Sequence, residues 1–228
     1  MSVDLLPLMV IEFFGEGSTD VGKTKPEPSL ADSGVVPILT RRLCLDPPHI
    51  RVRNLPYMFL QKKLERWQKT RWAKRNSFYN GSAGCVFALD SEGDQKSVRD
   101  ELTKGRDSEL PDFPMAIGVA HPCIEAWLLS DASAIRRGLG LQQRPAVPAN
   151  PESLPAPQID RTNNPKTALA ACNINNRHPN LAEKSAIAEY LGLKMAESVC
   201  PSFAAFTAEV QERIAPLFSA PESEPTSP

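Results

Sequence analysis

The chain predicts an α/β domain on a mainly parallel sheet, followed by a helical C-terminal part. Three observations lead there. Continuous apolar runs of strand length recur at Met9–Phe14, Cys85–Leu89 and Met115–Ala120, and strands buried on both faces look like this. Segments with helical spacing lie between them, and strand–helix alternation continues to about residue 140, as crossover connections require. The chain has 228 residues, 41% hydrophobic and 23% charged. That supplies enough core for a domain of this size and excludes disorder of the whole chain.

Met9-Val-Ile-Glu-Phe-Phe14 ends at Gly15 and reads as the first strand. A turn-rich loop from Gly15 to Gly34, containing Pro26 and Pro28, follows. Val35–Leu45 is a helix closed by Asp46-Pro47-Pro48, since proline disfavours helical geometry in the residue before it. His49–Arg53 is a short second strand, and Tyr57, Leu60, Leu64 and Trp67 recur at the spacing of an amphipathic helix over Tyr57–Arg75. After the turn Asn80–Gly84, the run Cys85–Leu89 ends on Asp90. Gln95–Lys104 is a helix, Met115–Ala120 the next strand, and Cys123–Gly138 a helix with Ile124, Trp127, Leu128 and Ala132 on one face.

The pattern then changes. Pro145, Pro148, Pro151, Pro155 and Pro157 fall close together and predict a stiff, extended connector. Helices are expected over Lys166–Cys172, Leu181–Leu193 and Ser202–Phe218. The organisation expected is a core over 1–140, a Pro-rich connector over 141–164, a C-terminal helical extension over 165–218 and a disordered tail over 219–228.

Charge sharpens the functional reading. A formal charge of −1, from 26 Lys and Arg against 27 Asp and Glu, excludes uniform polycation binding to nucleic acid. From Arg41 to Arg75, however, 11 basic residues face only Asp46 and Glu65, a net of +9, which leaves −10 for the rest. The apolar runs are far short of the roughly 20 residues a membrane helix needs. The N-terminus carries Asp4 and no basic stretch of a signal peptide. Cys44, Cys85, Cys123, Cys172 and Cys200 form no CxxC pair and read as buried small hydrophobes in a reducing compartment. The expectation is a cytoplasmic protein with no membrane association.

Gly17-Ser-Thr-Asp-Val-Gly22-Lys23-Thr24 satisfies the phosphate-loop pattern GxxxxGK[ST] after a strand. Its context opposes that reading. A phosphate loop opens a helix whose amides hold the anion, whereas Lys25-Pro26-Glu27-Pro28 follows here and two prolines so close disrupt a regular helix. Asp20 would also put a carboxylate into the anion cradle.

The other constellation is acidic. Glu16 follows the first strand, Asp90 ends the third run with Glu92 and Asp94 around Gly93, and His121 and Glu125 follow the fourth. In a parallel sheet these positions share the carboxyl edge, where open α/β folds bind ligands. Clustered carboxylates repel one another unless a cation neutralises them, and magnesium suits oxygen donors beside a phosphate. Without a cation, Asp90 would cap the following helix and Glu92 and Asp94 would be solvated turn acids, while Glu125 would complement a helix dipole.

A strand ending in Glu16-Gly-Ser-Thr-Asp20, followed by one ending in Asp90-Ser-Glu-Gly-Asp94, resembles the Toprim domain of topoisomerases, primases and OLD-family nucleases. His121-Pro-Cys-Ile-Glu-Ala-Trp-Leu-Leu-Ser-Asp131, Asn164-Pro-Lys166 and Cys200-Pro-Ser-Phe203 resemble small standalone bacterial Toprim-like proteins of unknown function, over roughly residues 8–215. The resemblance implies a Toprim-like Rossmannoid core and a Mg²⁺-dependent phosphodiesterase or nuclease, with Mn²⁺ as a substitute. It implies Glu16 as general acid/base or metal-associated group and Asp90 as the first metal ligand. The second metal position carries Glu92 rather than Asp, with Asp94 as the alternative. Glu125 joins Glu16 and Asp90 as a catalytic candidate, and His121 could orient a phosphate or act as an acid. The resemblance also implies DNA or RNA as substrate, an ABC-type ATPase partner, and a role in phage defence or DNA repair; an oligomer is compatible with it.

Lys62, Lys63, Arg66, Lys69 and Lys74 lie mostly off the apolar stripe of the basic helix and suit a track for backbone phosphates, as does Lys166 near the acidic edge. A solvated helix face has the same pattern. The alternatives are a nucleotide-binding phosphate-loop protein and a non-catalytic Toprim-like interaction subunit.

Overall fold

The computed structural model describes residues 9–15, 33–44, 50–56 and 64–218. Four strands, β1 (Met9–Gly15), β2 (Ile50–Pro56), β3 (Gly84–Asp90) and β4 (Met115–Ala120), form one parallel sheet in the order β2-β1-β3-β4. The chain leaves β1 towards one edge of the sheet and leaves β3 towards the other. The carboxyl ends of β1 and β3 therefore flank the crevice where such sheets take ligands. Register sets their heights: Gly15 pairs with Ala88, two residues before Asp90.

The helices are α1 (Val35–Leu43), α2 (Arg66–Tyr79), α3 (Gln95–Asp107), α4 (Ile124–Leu129), α5 (Ala132–Gly138), α6 (Pro165–Ala171), α7 (Leu181–Tyr190), α8 (Leu193–Val199) and α9 (Pro201–Arg213). Strand alternation divides the core. Ile11, Phe13, Val86, Ala88 and Ala116 join Trp127, Ile187, Phe203, Phe206 and Val210 on one face. Phe14, Cys85, Phe87, Leu89, Ile117 and Val119 pack on Ala73, Val98 and Leu102 of α2 and α3 on the other. Both faces are covered, which explains the unbroken apolar runs. The C-terminal helices supply much of the first face. At Gly118 an added Cβ would meet the Phe206 ring at 2.9 Å, so only glycine admits α9 this close to β4.

Several expected helices divide or shift. Cys123–Gly138 is two helices, because Asp131 Oδ1 accepts from the N–H groups of Ser133 (2.8 Å) and Ala134 (3.1 Å) and starts α5 afresh. Leu181–Leu193 breaks at the extended Leu191, after which Gly192 opens α8. The basic helix begins at Arg66 and continues to Tyr79. Glu65 sets its start, with a backbone N–H that donates to Gln68 Oε1 at 3.0 Å. Residues 57–63 of the expected helix lie outside the described residues. Within 141–164, Pro151–Ser153 forms a 3₁₀ turn with Pro151 buried. Its Glu152 carboxylate accepts from the Ser202 N–H, tying this segment to the first turn of α9. The expected tail over 219–228 is outside the described residues. Among the described residues no helix is long and apolar enough to cross a membrane.

Candidate functional site

Asp90, the last residue of β3, organises the carboxyl edge. Its Oδ1 accepts from the Ile124 N–H at 2.9 Å, satisfying one of the donors that a helix start leaves unpaired. That bond draws the start of α4 onto the end of β3. Cys123 and Glu125 flank Ile124, and both come to Asp90 with it: one ligand atom from each of the three lies within 4.8 Å of the others.

Two lysines meet these two carboxylates. Lys184 of α7 donates to Glu125 Oε1 at 2.6 Å, with both side chains below 10% exposed. Lys166 Nζ lies 3.9 Å from Asp90 Oδ2, and here the side chains are 44% and 17% exposed. Asp90 and Lys166 are thus the more exposed of the two pairs. Lys166 is held there by the cap of α6, where Asn164 Oδ1 accepts from the N–H groups of Lys166 (2.9 Å) and Thr167 (3.1 Å).

Electrostatics follow from burial. Burial by itself raises the Glu125 carboxyl, but the Lys184 and Lys166 ammonium groups outweigh it and hold Glu125 below its ordinary range. Its Oε2 is nevertheless buried without a hydrogen-bond partner. Burial, with the Glu125 and Asp90 carboxylates, pushes the Cys123 thiol upward, so it stays protonated near neutral pH. Burial also pushes Cys44, Cys85 and Cys200 up to about 12, in keeping with packed, unreactive cysteines.

Glu92 and Asp94 do not enter this group. Glu92 sits in the left-handed region at φ 52°, with an exposed side chain. Its backbone is held by Pro122 O (3.1 Å) and by Gln158 Nε2 (2.8 Å). Asp94 caps α3, with Oδ1 accepting from the Ser97 N–H at 3.0 Å. Helix capping has claimed Asp94, the alternative metal position, and the carboxylate beside Asp90 comes from α4 instead. Glu16 and Asp20, with the whole Gly17–Thr24 match, lie outside the described residues.

His121 borders the site. Its Nδ1 is 2.8 Å from Ser91 Oγ, and its backbone N–H donates to Ser202 Oγ at 3.2 Å. Ser202 also accepts from Trp127 Nε1 (2.7 Å) and donates to Glu152. Burial raises the Glu152 carboxyl more than its bonds from Ser202 lower it. This polar seam joins β4, α4, α9 and the 3₁₀ turn.

The basic helix is turned differently from the expected phosphate track. Lys69 and Lys74 are buried, and Lys74 Nζ donates to Arg106 O of α3 at 2.8 Å, so neither lies on an open face. Arg66 is half-buried and pairs with Glu101 at 3.3 Å. Lys62 and Lys63 lie outside the described residues. Sequence reasoning passed over Lys184 and gave Cys123 no ligand role. A lysine among Ser185, Ile187 and Ala188 on the buried side of α7 was the available signal, since a buried ammonium demands a carboxylate.

A family model described as "Domain of unknown function (DUF4276)" matches residues 27–211, and the chain belongs to that family. No curated protein and no solved structure matches it.

Proposed function

We propose that this chain is a metal-dependent phosphodiesterase acting on nucleic acid, with its site at Asp90. The observation that carries the reading is the placement of Asp90 at the carboxyl edge beside the buried, unpartnered Oε2 of Glu125. The weak Cys123 thiol donor beside that carboxylate satisfies it poorly, so Oε2 is costly to keep buried, and a cation shared with Asp90 would relieve it. The donor set fits a hard ion in part. Magnesium is commonly held by one or two carboxylates plus waters, which Asp90 and Glu125 can supply, whereas the protonated Cys123 is a poor partner for it. When bound, the ion would neutralise charge on a phosphodiester oxygen. Lys166, beside Asp90, is placed to orient a phosphate. His121, with Nδ1 occupied by Ser91, has Nε2 for proton exchange. Glu16 as a further acid, the ABC-type ATPase partner and a role in phage defence or DNA repair rest on the Toprim-like resemblance alone.

One observation favours a second reading. Both carboxylates already face lysines, at 2.6 Å for Glu125 and 3.9 Å for Asp90. A site neutralised from within suits a Toprim-like interaction subunit that has no catalysis. The two readings part in one experiment: incubation of plasmid, single-stranded DNA and tRNA with Mg²⁺ or Mn²⁺, using wild type and Asp90→Asn. Cleavage that disappears in Asp90→Asn supports the phosphodiesterase; cleavage undiminished by it removes Asp90 from the mechanism. No cleavage by wild type under either metal favours the interaction subunit.

A further inference from the structure

Helix α2 presents an unusual outer face. Gln68, Trp72, Arg75 and Tyr79 are spaced four, three and four residues apart and form one stripe. The buried side is the opposite one, around Thr70, Ala73 and Ser77. With Trp67 and Arg71 the stripe lines an open groove of about 460 Å³. Trp72 is 42% exposed and Tyr79 71%.

The rings are held rather than loose. Trp72 stands edge-on to Phe14, with centroids 6.2 Å apart. Tyr79 has the Arg75 guanidinium 5.9 Å from its centroid, and Trp67 has the Lys104 ammonium at 4.7 Å. The charge is one-sided: Arg71 and Arg75 approach the same Glu109 oxygen, at 3.1 and 3.5 Å, so two cations share one anion. A merely solvated face needs no aromatic rings. Exposed rings alternating with cations match a strand whose bases stack and whose phosphates carry charge.

We propose that this groove binds single-stranded nucleic acid, bases stacking on Trp72 and Tyr79 and phosphates meeting Arg71 and Arg75. Duplex is disfavoured because its base faces are already stacked. From Trp72 to Tyr79 the helix rises about 10 Å, the length of about three stacked nucleotides of one strand. The first turn of α2 lies towards the carboxyl edge, because a crossover helix runs antiparallel to the strands it connects. A strand followed towards Trp67 is therefore led to the edge where β3 ends at Asp90. The inference rests on the phosphodiesterase reading in naming single strands as that site's substrate.

The test is fluorescence anisotropy on the full chain, with labelled oligothymidylate, its duplex with oligoadenylate, and phosphatidylserine vesicles as competitor. Oligothymidylate is expected to bind about tenfold or more tightly than duplex. Tyr79→Ala, at an exposed position, and Trp72→Leu, which keeps an apolar contact to Phe14, should each weaken it about 5- to 100-fold. Arg75→Gln should reduce the slope of log affinity against log salt by about 0.7. Equal affinity for duplex, vesicles displacing the oligonucleotide at low concentration, or unchanged binding in both Tyr79→Ala and Trp72→Leu overturns the proposal. Asp90→Asn separates it from the catalytic reading. Cleavage surviving Asp90→Asn while Tyr79→Ala loses binding sinks only the catalytic reading. Cleavage lost in Asp90→Asn while both ring variants bind normally sinks only the groove.

Discussion

Lys184 of α7 and Glu125 of α4, 59 residues apart in sequence, meet at 2.6 Å with both side chains buried. The pair fastens a C-terminal helix to the helix that Asp90 positions. Buried ion pairs contribute little net stability over apolar packing, yet breaking one is costly because an uncompensated charge remains.

Lys184→Met should therefore destabilise the protein by about 3–5 kcal/mol near neutral pH, measured by urea unfolding. The pH dependence has a definite sign. In wild type Glu125 is depressed below its ordinary 4.5, so its contribution is present above that value and lost as pH falls through the depressed one. In Lys184→Met burial dominates and raises the carboxyl, so the penalty grows as pH rises from about 4.5 to the raised value. The gap between variant and wild type should shrink on acidification. A gap that is constant with pH would show that Glu125 does not depend on Lys184.

Asp90 has two tasks that substitution can separate. Asp90→Asn keeps an oxygen able to accept from the Ile124 N–H, bonded at 2.9 Å in the native chain, but removes the charge a cation needs. Asp90→Ala removes both. Thermal melting should show little loss for Asn and about 1 kcal/mol for Ala. Titration calorimetry with Mn²⁺ should show binding to wild type that both variants lose. Binding retained in Asp90→Asn would place the metal elsewhere.

What the sequence made legible follows from what each side chain must do. Strands β1, β3 and β4 stood out because burial on both faces leaves no room for polar alternation, and Asp90 stood out as the acid ending such a run. The orientation of α2 was hidden because part of its buried side is polar. Ser77 and Asn80 donate to the buried Glu12 at 2.7 and 3.2 Å, and Lys74 donates to a carbonyl. Hydrophobic periodicity cannot register a seam satisfied by hydrogen bonds. Glu125 and Lys184 were hidden for another reason: nothing local marks a partner so distant in the chain. Asp94 was misleading because a helix cap and a metal-binding acid share the same residue types.

Glu209 of α9 offers a comparison between buried acids. Arg106 Nη1 reaches both its oxygens, at 2.9 and 2.8 Å, and Arg213 and Arg99 approach at 3.2 and 3.6 Å. Removing one arginine leaves partners behind, whereas removing the carboxylate charge takes the shared anion from three arginines and leaves the buried Arg106 with Asp107, at 2.7 Å, as its acidic partner. Glu209→Gln should cost more than Arg213→Gln, because Asp107 only partly compensates Arg106, and Arg213→Gln should cost about 1 kcal/mol or less, in parallel urea unfolding. Equal costs would mean that Arg213 carries the network rather than Arg106.

Gly105 fixes how closely α3 approaches α2. A Cβ there would meet the Trp67 carbonyl oxygen at 2.3 Å and Thr70 Cβ at 2.7 Å. The first obstacle is backbone, which cannot rotate aside as a flexible side chain can, so α2 itself must shift. Alanine favours a helix interior over glycine by roughly 1 kcal/mol, and a change governed by propensity would stabilise. Overpacking opposes this with about 1–3 kcal/mol, occasionally more, and at so short a distance it should win. Gly105→Ala is expected to lower the melting temperature and, by displacing the Trp67 end of the groove, to weaken oligothymidylate binding as well. Stabilisation would show that α2 can move away from α3 at little cost, and the groove would then not be a rigid surface.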